Sequence, residues 1–334
     1  MTTMSYRTIQ EVLRLGSAFW EAKTLLTAVQ LDVFTSLAAQ PATEAELVAR
    51  LGLARQAGSH FVNGLCHMGL LERDGEVLRN SAVAETYLDS AKPSFRGGWF
   101  QMMNWQFNLW TRLEDLLRSG DRQTPEQSEF DFYSDVEAVE RFMAWMDAAN
   151  AALGPALARV LDWSRHRSFV DLGGARGNVS AELVKAHRHL RGHVFDLPAV
   201  RPAFDRHMER LGMADKVTFH AGDFFTDELP PADAYIFGHV LHDWDSERCG
   251  TLVRRAADAL RPGGSLLVYD AMIDESRPET GRNWLLSLNM QLITPGGREY
   301  PASECVEWME RAGLTEISVL PLADMDSVVT GRKA

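Results

Sequence analysis

One histidine and a series of acids end apolar runs in the second half of the chain, and their spacing is what could do chemistry. Phe169-Val-Asp-Leu-Gly-Gly-Ala-Arg-Gly177 runs from apolar residues through Asp171 into a glycine cluster, Gly173 and Gly174, and then turns helical. A backbone that turns so tightly at a strand end can lie against a nucleotide-like ligand, and the amides opening the next helix attract its polar groups. Such a turn also occurs as a plain connection. Later apolar runs finish in the same way at Asp196, at Asp223, at His242-Asp243 and at Asp270.

Those residues need elements to carry them. Between the runs, Val179, Leu183 and Val184, then Val200, Phe204, Met208 and Leu211, recur at helical spacing, so strand and helix alternate. The pattern predicts a parallel sheet with crossovers, in which ligands sit outside the carboxyl ends of the strands. One or two terminal acids could be ordinary helix caps, but a whole series is hard to explain by packing. Two late strands, Ile317–Leu320 and Ser327–Thr330, would form a reversed hairpin at one edge.

The glycine cluster is tighter than the G-x-G-x-x-G of a dinucleotide fold, and no lysine or serine follows in phosphate-loop spacing. Asp196 is followed by a second acid in Gly222-Asp223-Phe224. A carboxylate suits ribose hydroxyls, and Phe224 offers a face to adenine. The ligand implied is an adenosine without a phosphate chain, which points to S-adenosylmethionine.

The motifs Val170-Asp-Leu-Gly-Gly174, Val194-Phe-Asp-Leu-Pro198, Gly222-Asp-Phe-Phe225, Val240-Leu-His-Asp-Trp244, Leu260-Arg-Pro-Gly-Gly264 and Pro295-Gly-Gly-Arg-Glu299 occur in one order. Together they resemble the plant-type small-molecule O-methyltransferases, the caffeic acid and acetylserotonin type, with their bacterial natural-product relatives. The resemblance covers nearly the whole chain. It implies an α/β fold: a doubly wound, Rossmann-like sheet with an N-terminal helical, winged-helix-like dimerisation domain. Residues 1–155 would form the dimerisation and substrate-lid domain and 156–334 the cofactor domain, with the boundary within Leu153 to Arg167.

Methyl transfer to a hydroxyl is an in-line displacement, so the enzyme must align the acceptor and remove its proton. His242 is the candidate base, because an imidazole is largely neutral at pH 7 and can accept that proton. The resemblance places Asp270 and Glu299 as the acids flanking it. Asp270 stands where a glutamate is usual, one methylene shorter. His242 could instead enter a helix with Asp243 as cap, Asp270 could merely end a strand, and Glu299 could be a loop acid.

By the same resemblance, Asp171, Gly173, Gly174, Asp196, Leu197, Gly222, Asp223 and Phe224 hold the cofactor, with Asn150 at its amino-acid end. Gly238 replaces a lysine thought to reach the adenine, so that contact is absent or passes to His239. Ala175 replaces a glycine, which is harmless at negative φ and otherwise costs roughly 1 kcal/mol or more. Phe142, Met146, Asp243, Asn289 and Met290 would face an aromatic acceptor. The aromatic stretch Trp99–Trp110 reads equally as ligand wall or as packing core. The other histidines, including His187, His189, His193 and His207, are expected to be solvated or packed, and Arg176 to point outward.

Composition narrows the rest. The 334 residues suffice for two domains, and a net charge of -12 argues against nucleic acid or anionic membrane as partner. No secretory leader and no membrane-length apolar run is present, so a cytoplasmic location is expected. Cys66, Cys249 and Cys305 are scattered, without metal-ligand spacing, and no metal is expected. Thr43 to Glu46 reads as a capping box, two short helices follow, and Glu72–Leu78 reads as a hairpin. That is a winged-helix pattern, and a DNA-binding regulator is the rival class. Its second helix carries only Arg55 as a firm cation at its start, which is poor for phosphate contact. The resemblance implies a homodimer instead, through the first helix near Phe19-Trp20. The expected activity is transfer to a phenolic or enolic hydroxyl of an aromatic small molecule in bacterial specialised metabolism, leaving S-adenosylhomocysteine. A carbon or nitrogen acceptor, or a hydroxylase or decarboxylase on the same scaffold, is the alternative.

Overall fold

In a computed structural model, residues 6–124, 136–274, 278–323 and 325–334 are described. The chain packs as two compact units, Met4–Asn108 with Ala144–Ala149, and Leu109–Met143 with Asn150–Ala334.

The smaller unit begins with α1 (Ile9–Ser17), α2 (Phe19–Gln30) and α3 (Val33–Ala39). Strand β1 (Ala42–Thr43) leads into α4 (Glu44–Arg50) and α5 (Arg55–His67), followed by β2 (Leu71–Asp74), β3 (Val77–Asn80), α6 (Ala82–Tyr87) and most of α7 (Gly97–Trp110). The capping box is present: Thr43 Oγ1 accepts from the Glu46 amide, and Glu46 Oε2 accepts from the Thr43 amide at 2.8 Å. The expected hairpin gains β1 as a third strand, in the order β1-β3-β2. Leu47, Val62, Leu65, Leu71 and Leu78 close one core between these helices and the sheet.

In the larger unit, α8 (Leu113–Ser119), α9 (Val136–Ala149) and α10 (Leu153–Leu157) precede the sheet, and α9 passes from this unit into the smaller one. The units divide at Leu109, not at the expected 155/156. The reason is tertiary: Trp110 Nε1 donates to Asn289 Oδ1 at 2.9 Å, and the Gln123 amide and Thr124 hydroxyl donate to the Leu292 and Ile293 carbonyls. These bonds tie the segment to the helix that contains Asn289, far along the chain.

The sheet alternates with helices as the periodicity predicted: β4 (Ser168–Leu172), α11 (Asn178–Ala186), β5 (Arg191–Asp196), α12 (Arg201–Leu211), β6 (Val217–Ala221), β7 (Ala232–Gly238), α13 (Ser246–Ala259) and β8 (Leu260–Asp270). Then come α14 (Asn283–Ile293), α15 (Ala302–Arg311), β9 (Leu314–Pro321) and β10 (Ser327–Lys333). The order is β6-β5-β4-β7-β8-β10-β9, with β10 antiparallel to both neighbours. The central strands are buried on both faces: Val170, Tyr235, Phe237, Leu266 and Val268 pack with α13 and α15, while Phe169, Ala234, Ile236 and Leu267 pack with α11 and α12. This is why they read as unbroken apolar runs and not as alternating ones. The topology reverses at β4, so β5 and β7 leave it in opposite directions and open a crevice at their carboxyl ends.

Candidate active site

The glycine turn after β4 is a cradle that side chains would fill. Gly173 has φ +69°, and a Cβ there would lie 2.7 Å from Val240 Cγ2 and 3.7 Å from the Phe224 ring. At Gly174 a Cβ would meet the Asp171 carboxyl carbon at 2.6 Å. Asp171 is itself committed, because its Oδ2 accepts from Ser180 Oγ at 2.9 Å and so ties the strand end to α11. Burial pushes its pKa up to about 7.

Across the cradle, Asp196 closes β5. One carboxylate oxygen accepts from the Ala175 amide at 2.8 Å and the other from the Leu197 amide at 2.7 Å. Each oxygen keeps a further lone pair, which is what a ribose diol would engage. Burial raises this carboxyl to about 6 against the opposing effect of the two amides. Asp223 accepts from the Phe225 amide at 2.8 Å, which fixes the turn that presents Phe224. Gly222 is needed for the same turn, since a Cβ there would meet the Phe195 ring at 2.5 Å. Asn150 starts a turn, its carbonyl accepting from Leu153. An adenosine fits this donor set: a glycine cradle, a buried acid with spare lone pairs and an aromatic face.

Two departures from the expected pattern now have physical content. Ala175 has φ +52°, the left-handed region, so its methyl carries the cost foreseen for that case. Ala175→Gly is expected to stabilise the protein by about 1 kcal/mol, read as a higher urea midpoint; an unchanged or lower midpoint would contradict the strain. Gly238 does more than lack a lysine: a Cβ there would stand 2.0 Å from the Tyr269 ring, so Tyr269 occupies that space. Arg176 is half-buried, not turned fully outward, and with burial it helps depress His207, which falls to about 3.

At the end of β7, one 3-10 turn (Leu241–Asp243) holds His242. Its Nδ1 lies 2.8 Å from Glu299 Oε1 and 3.6 Å from Asp270 Oδ1. Asp270 is 0% exposed and Glu299 1%. Asp243 stays half-exposed, its Oδ1 3.9 Å from His242 Nε2. The main chain locks the pairing, because the Arg298 amide donates to the His242 carbonyl at 2.8 Å. A side chain at Gly297 would strike that carbonyl. Burial alone would lower the basicity of His242, but the carboxylates of Glu299 and Asp270 outweigh it and hold the ring well above the ordinary histidine range. With Nδ1–H donating to Glu299, the neutral ring carries its lone pair on Nε2, the arrangement of a general base with an orienting acid.

Three neighbours of this pair were not foreseen. Tyr300 donates its hydroxyl to Asp270 Oδ2, although only its place beside Glu299 could have suggested it. Asp326 reaches the cluster because Ser327 on β10 pairs opposite Asp270 on β8. His239, expected at the cofactor, has Nε2 3.3 Å from Asp326 Oδ2 and Nδ1 3.9 Å from Asp270 Oδ1.

The expected acceptor residues are more scattered. Phe142 packs against the sheet core of the larger unit, while Met146, one turn later on α9, belongs to the smaller unit. Asn289 and Met290 are buried on α14, and Asn289 Oδ1 is already taken by Trp110. An open cavity of about 670 Å³ lies instead on another face of α14, against Glu299, lined by Ile273, Trp284, Ser287, Gln291 and Arg298. His187, His193 and His207 are packed and hydrogen-bonded, and His189 is exposed with Nε2 on the Trp163 carbonyl, as expected of solvated or packed residues. All three cysteines are free thiols.

Residues 110–315 match the model of the O-methyltransferase domain and residues 13–90 that of the O-methyltransferase dimerisation domain. The chain belongs to the O-methyltransferase family. This methyltransferase is 44% identical to the tetracenomycin polyketide synthesis 8-O-methyl transferase TcmO of Streptomyces glaucescens, over 97% of the chain and 96% of that protein. It is 36% identical to the N,N-dimethyltransferase OxyT of Streptomyces rimosus, over 91% and 90%. The crystal structure of human N-acetylserotonin methyltransferase in complex with S-adenosylmethionine superposes with a TM-score of 0.88 at 25% identity, each chain fully covered. The methyltransferase therefore uses S-adenosylmethionine, which when bound supplies an electrophilic methyl group on a sulfonium. No helix among the described residues is long and apolar enough to cross a membrane.

Proposed function

We propose that this methyltransferase transfers a methyl group to a phenolic or enolic hydroxyl of an aromatic small molecule in bacterial polyketide-type metabolism, with His242 as general base. The observation that carries the reading is the buried His242–Glu299 hydrogen bond at the crevice wall, with Asp270 behind it. His242 Nε2 takes the hydroxyl proton, and Glu299 and Asp270 orient the ring and stabilise the imidazolium. Asp196, Asp223, Phe224 and the glycine turn hold the cofactor. The 8-O-methyl transferase named for a polyketide supports the acceptor class.

A nitrogen acceptor is the second reading, because one relative is named an N,N-dimethyltransferase. The test is transfer of a labelled methyl group into a panel of phenols, naphthols and aromatic amines, with the product bond located by NMR. Label on oxygen supports the proposal; label confined to nitrogen overturns it.

The protein acts as a homodimer rather than on nucleic acid. All of α1 lacks buried residues, and it exposes Leu13 at 65% and, on the next helix, Trp20 at 66%. The would-be recognition helix α5 instead carries an acid against its side, since Glu44 accepts from Asn63 on that helix and from Arg73 on β2. Leu13→Asp with Trp20→Asp is expected to convert the dimer to monomer in analytical ultracentrifugation; a dimer that persists would refute this role for the face.

A further inference from the structure

His239 sits in a conformation that needs a reason. Its φ is +51°, the left-handed region that non-glycine residues seldom occupy, and the residue is nonetheless packed into the carboxylate cluster. Its ring centroid lies 5.2 Å from that of His242. Between the two rings stands Asp270, whose Oδ1 has no hydrogen-bond partner among the described residues but is 3.6 Å from one imidazole and 3.9 Å from the other. Three buried carboxylates, Asp270, Glu299 and Asp326, thus meet two imidazoles. Burial pushes the Asp270 carboxyl up to about 7, and the ionised form of so buried an acid needs positive charge beside it.

We propose that His239 is a positioning residue for methyl transfer: paired with Asp326, it supplies the second positive charge that Asp270 requires, leaving His242 bonded to Glu299 and able to give up its proton. The inference rests on His242 being the base. The groups around His239, Asp270 and His242 are Asp243, Glu299 and the Arg298 main chain at His242, Tyr300 from the segment after α14 and Cys249 from α13 at Asp270, and Tyr269 from β8 and Asp326 ahead of β10 at His239. The Arg298 guanidinium is spent on Glu304 at 2.6 Å. Among the described residues, the other group of the cluster able to carry positive charge is His239, whose basicity Asp326 raises against the opposing effect of burial.

The sign follows from like charges. A protonated His239 disfavours a second proton on His242, so neutralising it must raise the pH at which His242 becomes a base. His239→Asn is the suitable change, because asparagine tolerates the left-handed backbone and carries no charge. The expected result is a shift of the acid limb of the kcat profile upward by about one pH unit. Below the limb the rate falls about tenfold, above it the rate is native, and KM for S-adenosylmethionine is unchanged. The histidine ring signals of His242, followed by NMR without acceptor, should titrate higher by the same interval. Asp326→Asn should move both readouts the same way by less, and it leaves β7 untouched. A raised KM for S-adenosylmethionine with an unmoved limb would make His239 a cofactor contact and overturn the proposal. So would an equal loss of rate at every pH. If the native enzyme shows no histidine limb at all, the base assignment of His242 fails, while the NMR titration still reports on the two rings.

Discussion

Replacing His242 by alanine is expected to lower kcat by about 10²- to 10⁴-fold, the range contributed by a positioned general base, with S-adenosylmethionine affinity nearly unchanged. The split follows from the geometry. His242 contacts Glu299, Asp270 and Asp243, whereas the cradle is built from Gly173, Gly174, Asp196 and Phe224 on other strand ends. The truncation also strands the Glu299 and Asp270 carboxylates in a buried site. A lower melting temperature is then expected, with the larger loss above pH 7, where Asp270, pushed up to about 7 by burial, is ionised. Steady-state kinetics with a labelled cofactor and calorimetric titration of the cofactor separate the two effects. A variant that keeps more than a tenth of native kcat would show that positioning alone drives transfer.

For the cofactor half of the site the large effect belongs to Asp196→Ala. Both carboxylate oxygens hold backbone amides, and the change leaves the Ala175 and Leu197 N–H groups without acceptors. The orphaned donor of half-buried Ala175 costs about 1–3 kcal/mol and anchors the residue already strained at φ +52°, whereas exposed Leu197 can turn its amide to water. Cofactor affinity is expected to fall by about 100-fold or more, in line with roughly 3 kcal/mol or more. The native site also gains a pH dependence. Since Asp196 titrates near 6 in the folded protein, its ionised form dominates above that value and is lost below it. Affinity for S-adenosylmethionine should weaken as pH falls through about 6 and be flat above 7, whereas Asp196→Ala should show no such step. A native affinity constant from pH 5 to pH 8 would remove Asp196 from the ribose contact.

Much of this architecture is written in local pattern. Asp196 and Asp270 end strands that are buried on both faces, so their apolar runs and terminal acids are visible without coordinates. His242 and Glu299 are likewise visible as motif residues. Other parts of the site have no such signature. Ala175 reads as a tolerable change until its φ is known, because a dihedral angle is set by the turn and not by the residue name. Asn289 reads as a recognition group until Trp110, at the other end of the unit, takes its oxygen.

The amino-acid order therefore carries what depends on neighbours in the chain: alternating strands and helices, the glycine turn, the caps, and the strand-end placement of acids and His242. Such features rest on periodicity and on backbone preference, and both act within a few residues. The charge state of the site is a different matter. It arises from Asp270, Glu299, Asp326 and His239, which lie up to 87 residues apart between His239 and Asp326 and meet because β10 inserts antiparallel beside β8. Electrostatic interaction depends on distance in space and on burial, so no reading of the chain in order could assign Asp326 to His239 or show that Tyr269 fills the place of a side chain at Gly238.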